Sequence, residues 1–191
     1  MSMFTAMRLC PLSSLLTAIC VSLLLPGCAS RDRVHEVIIS IPDQRMVVLK
    51  HGSAIASYPV STSKFGIGDK PGSMATPLGH LEVARKIGDG APSGMKFKDR
   101  KPTGEIVAVN APGRDPIVTR ILWLRGLDEE NRNAYKRTIY IHGTPEERNI
   151  GKPASYGCVR MRSDDVMELF NTLGVGARVN IVNTPLTQVG G

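Results

Sequence analysis

The order of apolar and polar positions predicts a chain made mostly of strands. Val34 to Ile41 alternates weakly and is rich in Val and Ile, the signature of a half-buried strand. Pro42-Asp43-Gln44 reads as a turn, Arg45 to Lys50 as a second strand, His51-Gly52 as a tight turn, and Ser53 to Ser61 as a third strand. This spacing predicts a meandering antiparallel sheet. Ser63 to Gly79 is rich in Gly and Pro and reads as loop, and Leu78 to Ile87 resumes a strand. Gly88 to Asp115 reads as irregular, with a short strand at Glu105 to Val109, and a loop of that length is expected to lie over a groove. Ile117 to Leu124 is a strong strand carrying Trp123, the single tryptophan, with core packing as its default role. Gly126 to Arg137 is a polar connection, and Arg137 to Ile141 a strand that ends at His142. One helix stands out. Val166, Leu169, Phe170 and Leu173 fall at i, i+3, i+4 and i+7. Ser163 is the expected N-cap, Asp164 and Asp165 suit the positive end, and Gly174 stops it. Ala177 to Val182 is the last strand.

Residues 1–27 stand apart from this pattern. Arg8 is their only basic residue, Leu9 to Leu25 is almost wholly apolar or small, and the run is interrupted by serines and short for a membrane span of about 20 residues. This is the layout of a signal peptide. Leu25-Pro26-Gly27-Cys28 resembles a bacterial lipobox, which implies lipidation at Cys28 and a multi-chain membrane anchor. Ala29 to Arg33 would then span roughly 17 Å at about 3.4 Å per residue, which keeps the domain close to its membrane. Ala29 is not the aspartate of an inner-membrane retention signal, so the outer membrane is the expected one. The resulting division is 1–27 signal peptide, 28–36 lipidated N-terminus and linker, 37–184 main domain, and 185–191 flexible tail. The roughly 164 residues after the signal are enough for one domain with a real core.

The net charge of +7 suits anionic partners such as a cell wall or lipid headgroups, or simply solubility. Lys and Arg form no run and have no interleaved aromatics, which argues against nucleic acid. Of the four cysteines, Cys10 and Cys20 leave with the signal and Cys28 is lipidated, so Cys158 stands alone in an oxidising compartment. A lone thiol there is either inert and buried or reactive.

The residues around it favour reactivity. Thr138 to Met161 carries His142-Gly143 and Gly157-Cys158. A histidine within reach of a thiol can take its proton and return it to a leaving amine. A thiolate also gains from a nearby cation or the positive end of the helix at Ser163. Gly143 and Gly157 permit backbone conformations closed to other residues, and the N–H groups of Tyr156, Gly157 and Cys158 are candidate oxyanion donors. A zinc site from His142, Cys158 and His80 lacks the close ligand pairs of ordinary zinc centres. No cofactor is called for. His35, His51 and His80 read as surface or turn residues.

His142-Gly143 followed by Ser155-Tyr156-Gly157-Cys158-Val159-Arg160-Met161 resembles the signature of L,D-transpeptidases of the YkuD type. Tyr58 to Thr62, Thr76-Pro77-Leu78-Gly79 and Ile150 to Pro153 extend the resemblance over most of the domain. It implies a mainly β, sandwich-like catalytic domain with one main helix, acting on peptidoglycan stem peptides. Cys158 would attack the L,D bond after the third stem residue to give a thioester. His142 would be the base, steadied by the Gly143 carbonyl, with Ser155, Tyr156, Gly157 and Arg160 at the oxyanion and substrate positions. An amine of a second stem, or of an outer-membrane protein, would accept the acyl group. Two other readings share the motif: an L,D-carboxypeptidase or protein-releasing hydrolase, and a non-catalytic wall-binding lipoprotein. Tyr156 departs from the family's more frequent histidine and bears on acceptor or substrate preference.

Overall fold

The computed structural model describes residues 31–189. The signal peptide, Cys28 and Ala29 lie outside them. The first three strands fall where the pattern predicts: β1 His35–Ser40, β2 Arg45–Lys50 and β3 Ser53–Pro59, paired antiparallel in sequence order. His51 and Gly52 both have positive φ, as a two-residue hairpin turn requires. Then follow β4 Gly79–Ile87, β5 Met95–Lys98, β6 Lys101–Ile106, β7 Ile117–Gly126, β8 Tyr140–Gly143 and β9 Val159–Met161. α1 Ser163–Thr172 and β10 Arg178–Val182 complete the domain.

The sheet is not a simple antiparallel meander. β10 returns to lie parallel to β1, and β8 and β9 are parallel to each other. The order runs β3-β2-β1-β10-β4-β7, with β8 and then β9 also attached through β7. A bridge between Ser61, just after β3, and Arg160 of β9 joins the two ends, so the sheet rolls over on itself. Its inward residues share one core: Val37 and Ile39, Met46 and Val48, Leu81 and Val83, Leu122 and Leu124, Ile141, Val159 and Met161, Val179 and Ile181. Alternation with period two puts these on one face of each strand. α1 covers this core with Val166, Leu169 and Phe170, the apolar stripe its spacing predicts.

Three expectations need correction. The strand expected at Glu105–Val109 is a hairpin instead, β5 and β6, turning at Asp99 and Arg100, which both have positive φ. All six β6 residues are exposed, so the segment carries no apolar alternation to read. Ser163 is the first helical residue rather than the cap. Its Oγ hydrogen-bonds Thr119 Oγ1 at 2.8 Å, and its N–H is met by Glu147 Oε1 at 2.9 Å, so a distant carboxylate caps the helix. The end of the chain, expected to be loose from residue 185, forms a short 3-10 turn at Leu186–Gln188, and the Leu186 amide donates to Asp43 Oδ2 at 2.6 Å.

β7 is the strand on which the site depends. Its pairing with β8 slips between Val118 and Ile121, and within the slip Thr119 has φ 71. That value is strained for a β-branched residue. Buried bonds from Thr119 Oγ1 to Ser163 and to the Gly94 amide hold it there. Gly143 of β8 packs into this bulge. A Cβ on Gly143 would lie 2.7 Å from the Val118 carbonyl and 3.2 Å from Val166. Its φ is not positive, so close approach rather than special dihedrals requires glycine here.

Candidate active site

The parallel β8–β9 register sets His142 opposite Arg160, and Cys158 continues β9 backwards to lie beside Tyr140. Cross-strand neighbours and residues two apart share a sheet face. Tyr140, His142, Cys158 and Arg160 therefore lie on one face, together with Ile121 and Trp123 of β7. Ile141, Val159 and Met161 point the other way, into the core under α1. One inter-strand step of about 4.8 Å and two residues of about 3.3 Å put the Cys158 and His142 α-carbons roughly 8 Å apart. A thiol and an imidazole can meet across that separation.

His142 is buried, and its Nδ1–H donates to the Gly143 carbonyl at 2.8 Å. A carbonyl can only accept, so the neutral ring carries its proton on Nδ1 and leaves the Nε2 lone pair free. Burial pulls its pKa down to about 4. The Gly143 bond works against this and the nearby Arg160 charge with it. Cys158 is half-buried. Its Sγ accepts from the Tyr140 amide at 3.4 Å and lies 3.4 Å from the Thr138 carbonyl, to which the thiol donates. Burial pushes this thiol up to about 11, although the Tyr140 amide and the charges of Arg160 and Arg137 pull it down. At neutral pH the resting pair is therefore thiol and neutral imidazole, as a histidine that takes its proton from a thiol requires. The positive end of α1 does not serve the thiol: the helix packs on the opposite face.

The His142 shift has a consequence for stability. The unfolded chain takes up this proton near pH 6.5, the folded chain only near 4. Between those values unfolding binds a proton, so stability is full above about 6.5 and falls as pH drops. At about 1.4 kcal/mol per pH unit the loss by pH 4.5 is on the order of 2–3 kcal/mol. Urea titrations at pH 7 and 4.5 should show this acid loss, and it should be smaller in His142→Gln.

The loop before Cys158 is held from both ends. Ser155 is fully buried. Its Oγ donates to the Cys158 carbonyl at 2.5 Å and accepts from the Gly157 amide at 3.2 Å. The amides of Ala154 and Ser155 both donate to the Thr62 carbonyl at 2.9 Å. Thr76 Oγ1 donates to the Gly157 carbonyl and accepts from the Ser63 amide, each at 3.0 Å. Gly157 has φ 121, and a Cβ there would also press on Ala75 and Ile139 at 3.3 Å. Arg137, half-buried, pairs with Asp69 at 2.8 Å and donates to the Gly68 and Ala75 carbonyls at 3.0 and 2.7 Å. These contacts tie the glycine-rich loop to the loop before Cys158.

Arg160 is buried against Asp115 at 2.6 Å, with Glu146 further off at 3.9 Å. Asp115 also accepts from Thr144 Oγ1. Sequence reasoning placed Arg160 near the site but missed Asp115, which nothing in its Pro- and Gly-rich segment distinguishes. Replacing Arg160 by Met leaves the Asp115 carboxylate buried without its cation, at a cost of about 3–5 kcal/mol. In denaturant titrations the double variant Arg160→Met/Asp115→Leu should recover much of that loss.

Tyr156 is 57% exposed. Its ring packs beside Phe65, and Lys64 Nζ lies 4.5 Å from its centre and 3.2 Å from its hydroxyl. A cavity of about 590 Å³ lies beside it, lined by Lys64, Arg114, Asp115, Glu146, Tyr156 and Arg160. The end of the 107–116 loop therefore does border a groove. Trp123 lies on the same sheet face as Cys158. It stacks on Tyr135 at 4.2 Å and meets Tyr140 edge-on at 5.6 Å, in a small cluster against which Cys158 packs. His80 is not brought to the site; its Nδ1 lies 3.1 Å from Asp128 Oδ2.

A rolled mainly-β sheet with a glycine-bounded thiol and a buried imidazole on one face carries the groups that nucleophilic acyl chemistry needs. The family model described as YkuD, L,D-transpeptidase catalytic domain, matches residues 35–181, and the chain belongs to that family. Probable L,D-transpeptidase YcfS of Escherichia coli is 28% identical over 155 residues, covering 78% of this chain and 44% of the relative. Probable L,D-transpeptidase YbiS of the same organism is 27% identical over 159 residues, 81% of this chain and 47% of the relative. The chain thus spans under half the length of both. Among solved structures, L,D-transpeptidase 3 from Mycobacterium tuberculosis in complex with a faropenem-derived adduct aligns with a TM-score of 0.51 at 15% identity. That alignment covers 78% of this chain and 60% of the other, and it shows a shared fold.

Proposed function

We propose that this chain is a cysteine-dependent peptidoglycan L,D-transpeptidase, with Cys158 as nucleophile and His142 as base. The observation that carries the reading is the β8–β9 register, which sets both side chains on one face, with His142 Nδ1 fixed on Gly143 and Nε2 left to accept a proton. As Cys158 Sγ attacks the carbonyl of the third stem residue, its proton passes to Nε2. The tetrahedral intermediate then collapses to a thioester, and the imidazolium gives the proton to the departing D-alanine amine. An incoming amine loses its proton to Nε2, attacks the thioester and restores the thiol. The Gly157 amide is already engaged by Ser155 Oγ, so the oxyanion falls to the amides of Tyr156 and Cys158. Arg160 braces Asp115 rather than meeting substrate. Lys64 and Arg114 are the cations left to meet stem-peptide carboxylates in the groove.

The proposed layout keeps a signal peptide over 1–27, a lipid on Cys28 and a catalytic domain over 37–184, on the periplasmic side of an outer membrane. No helix among the described residues is long and apolar enough to cross a membrane. The acceptor is a second stem, giving 3→3 cross-links, or the terminus of an outer-membrane protein. Incubating the purified chain with tetrapeptide muropeptides and weighing the products tests the reading. Cross-linked dimers support transfer to an amine. Tripeptide alone would show hydrolysis, and unchanged substrate would leave a binding role.

A further inference from the structure

Away from Cys158, a second cavity of about 700 Å³ opens where the N-terminal segment meets the sheet. Arg31, Arg33, Arg125 and Arg178 line it, with two carboxylates, Asp32 and Glu82. All four arginines are exposed. Arg178 and Arg125 flank Glu82 across neighbouring strands. Glu82 is buried and fully engaged: one oxygen takes Arg125 Nε and Nη2 at 2.9 and 2.6 Å, and the other takes Arg31. Asp32 accepts from the Gly174 amide at 2.7 Å and lies 2.9 Å from His35 Nδ1. Among the lining residues two positive charges remain in excess, and although Glu36 stands opposite Arg178 across the β1–β10 register, neither Arg33 nor Arg178 has a carboxylate oxygen within 4 Å among the described residues.

The wall of this cavity is pinned. The Asp32 amide donates to the Val175 carbonyl at 2.8 Å. Gly174 and Gly176 admit the segment so closely that a Cβ on either would lie 2.8 Å from Asp32 or 3.0 Å from Arg31. Arg31 is three residues after Cys28, a reach of at most about 11 Å. On the lipoprotein reading, a lipid at Cys28 keeps Arg31 within about 11 Å of the membrane surface, close to the screening length of roughly 8 Å at physiological salt. Guanidinium forks match phosphate oxygens in pairs.

We propose that this basic pocket seats the phosphates of anionic lipid headgroups and holds the domain against the membrane at its N-terminal anchor. The inference rests on the lipid-anchor reading but not on the transpeptidase chemistry.

The test is co-sedimentation of the full chain with phosphatidylcholine vesicles, with and without phosphatidylglycerol. Arg33→Gln/Arg178→Gln removes two cations that hold no buried partner, so the fold is spared. At about fivefold per arginine, this variant should partition into phosphatidylglycerol vesicles roughly 25-fold less, with binding to phosphatidylcholine unchanged. Lys101→Gln/Arg148→Gln, an equal charge loss at exposed positions elsewhere, should change partitioning far less. Equal losses from the two pairs would reduce the effect to net charge and overturn the proposal. So would a loss of binding to isolated peptidoglycan with vesicle binding intact, which would make the pocket a wall contact. The mass of Cys28 in the same preparations separates the two readings. Arginine-dependent binding by an unlipidated chain sinks the anchor and keeps the pocket, whereas a lipidated chain indifferent to both arginines sinks the pocket.

Discussion

Replacing Cys158 by alanine is expected to abolish 3→3 cross-linking of isolated peptidoglycan, a fall on the order of 10⁴–10⁶-fold. The size follows from the chemistry. In the proposed mechanism the L,D amide is exchanged through a thioester, and without sulfur no covalent intermediate forms and no acyl group is held for the acceptor. The fold should survive. Cys158 is only half-buried, and alanine removes one atom whose two hydrogen bonds, to Tyr140 and Thr138, are long at 3.4 Å. Unfolding free energy should change by less than about 1.5 kcal/mol, in the range of a small truncation. Mass spectrometry of the muropeptides reads the loss, and circular dichroism confirms the fold. Undiminished cross-links in this variant would remove Cys158 from the mechanism.

The second large effect is at His142. The neutral imidazole, with its pKa near 4, is a base over the whole physiological range, whereas the thiol, near 11, is almost wholly protonated there. Wild-type acylation by a carbapenem should therefore be nearly flat from about pH 5 to 9, because proton transfer accompanies attack and both partners keep their protonation states. His142→Gln loses the base, a loss worth about 10²–10⁴-fold. Only the small thiolate fraction then reacts. Its acylation rate should climb about tenfold per pH unit through the same range, since that fraction does. A merely structural role for His142 would lower the rate without imposing this slope. Stopped-flow acylation across pH decides between them.

Much of this was legible in the residues. β1 to β3 alternate with clear turn signals, α1 carries its apolar stripe, and the motif from His142 to Met161 singles out the thiol, the imidazole and both glycines. What escaped depends on contacts far apart in the chain. The parallel return of β10 to β1 is invisible to local periodicity. β6 has no buried face. The Thr119 bulge has no glycine to announce it, because the strain is carried by buried bonds to Ser163 and Gly94. Ser63, Thr76 and Arg137, which hold the glycine-rich loop and the loop before Cys158, act through backbone carbonyls and amides that composition does not reveal. The resting protonation states escape the sequence for a related reason. A cation near a thiol is visible in sequence, but the depth of burial that outweighs it is not.

The most direct test of Cys158 as the acyl carrier is the intact mass of the enzyme, quenched during turnover of a disaccharide-tetrapeptide. The expected result is an adduct of substrate mass less D-alanine, mapped to Cys158 after digestion and lost on adding an amine acceptor as the 3→3 dimer appears. Cross-linked product forming with no adduct, or with the adduct on any other residue, would contradict it.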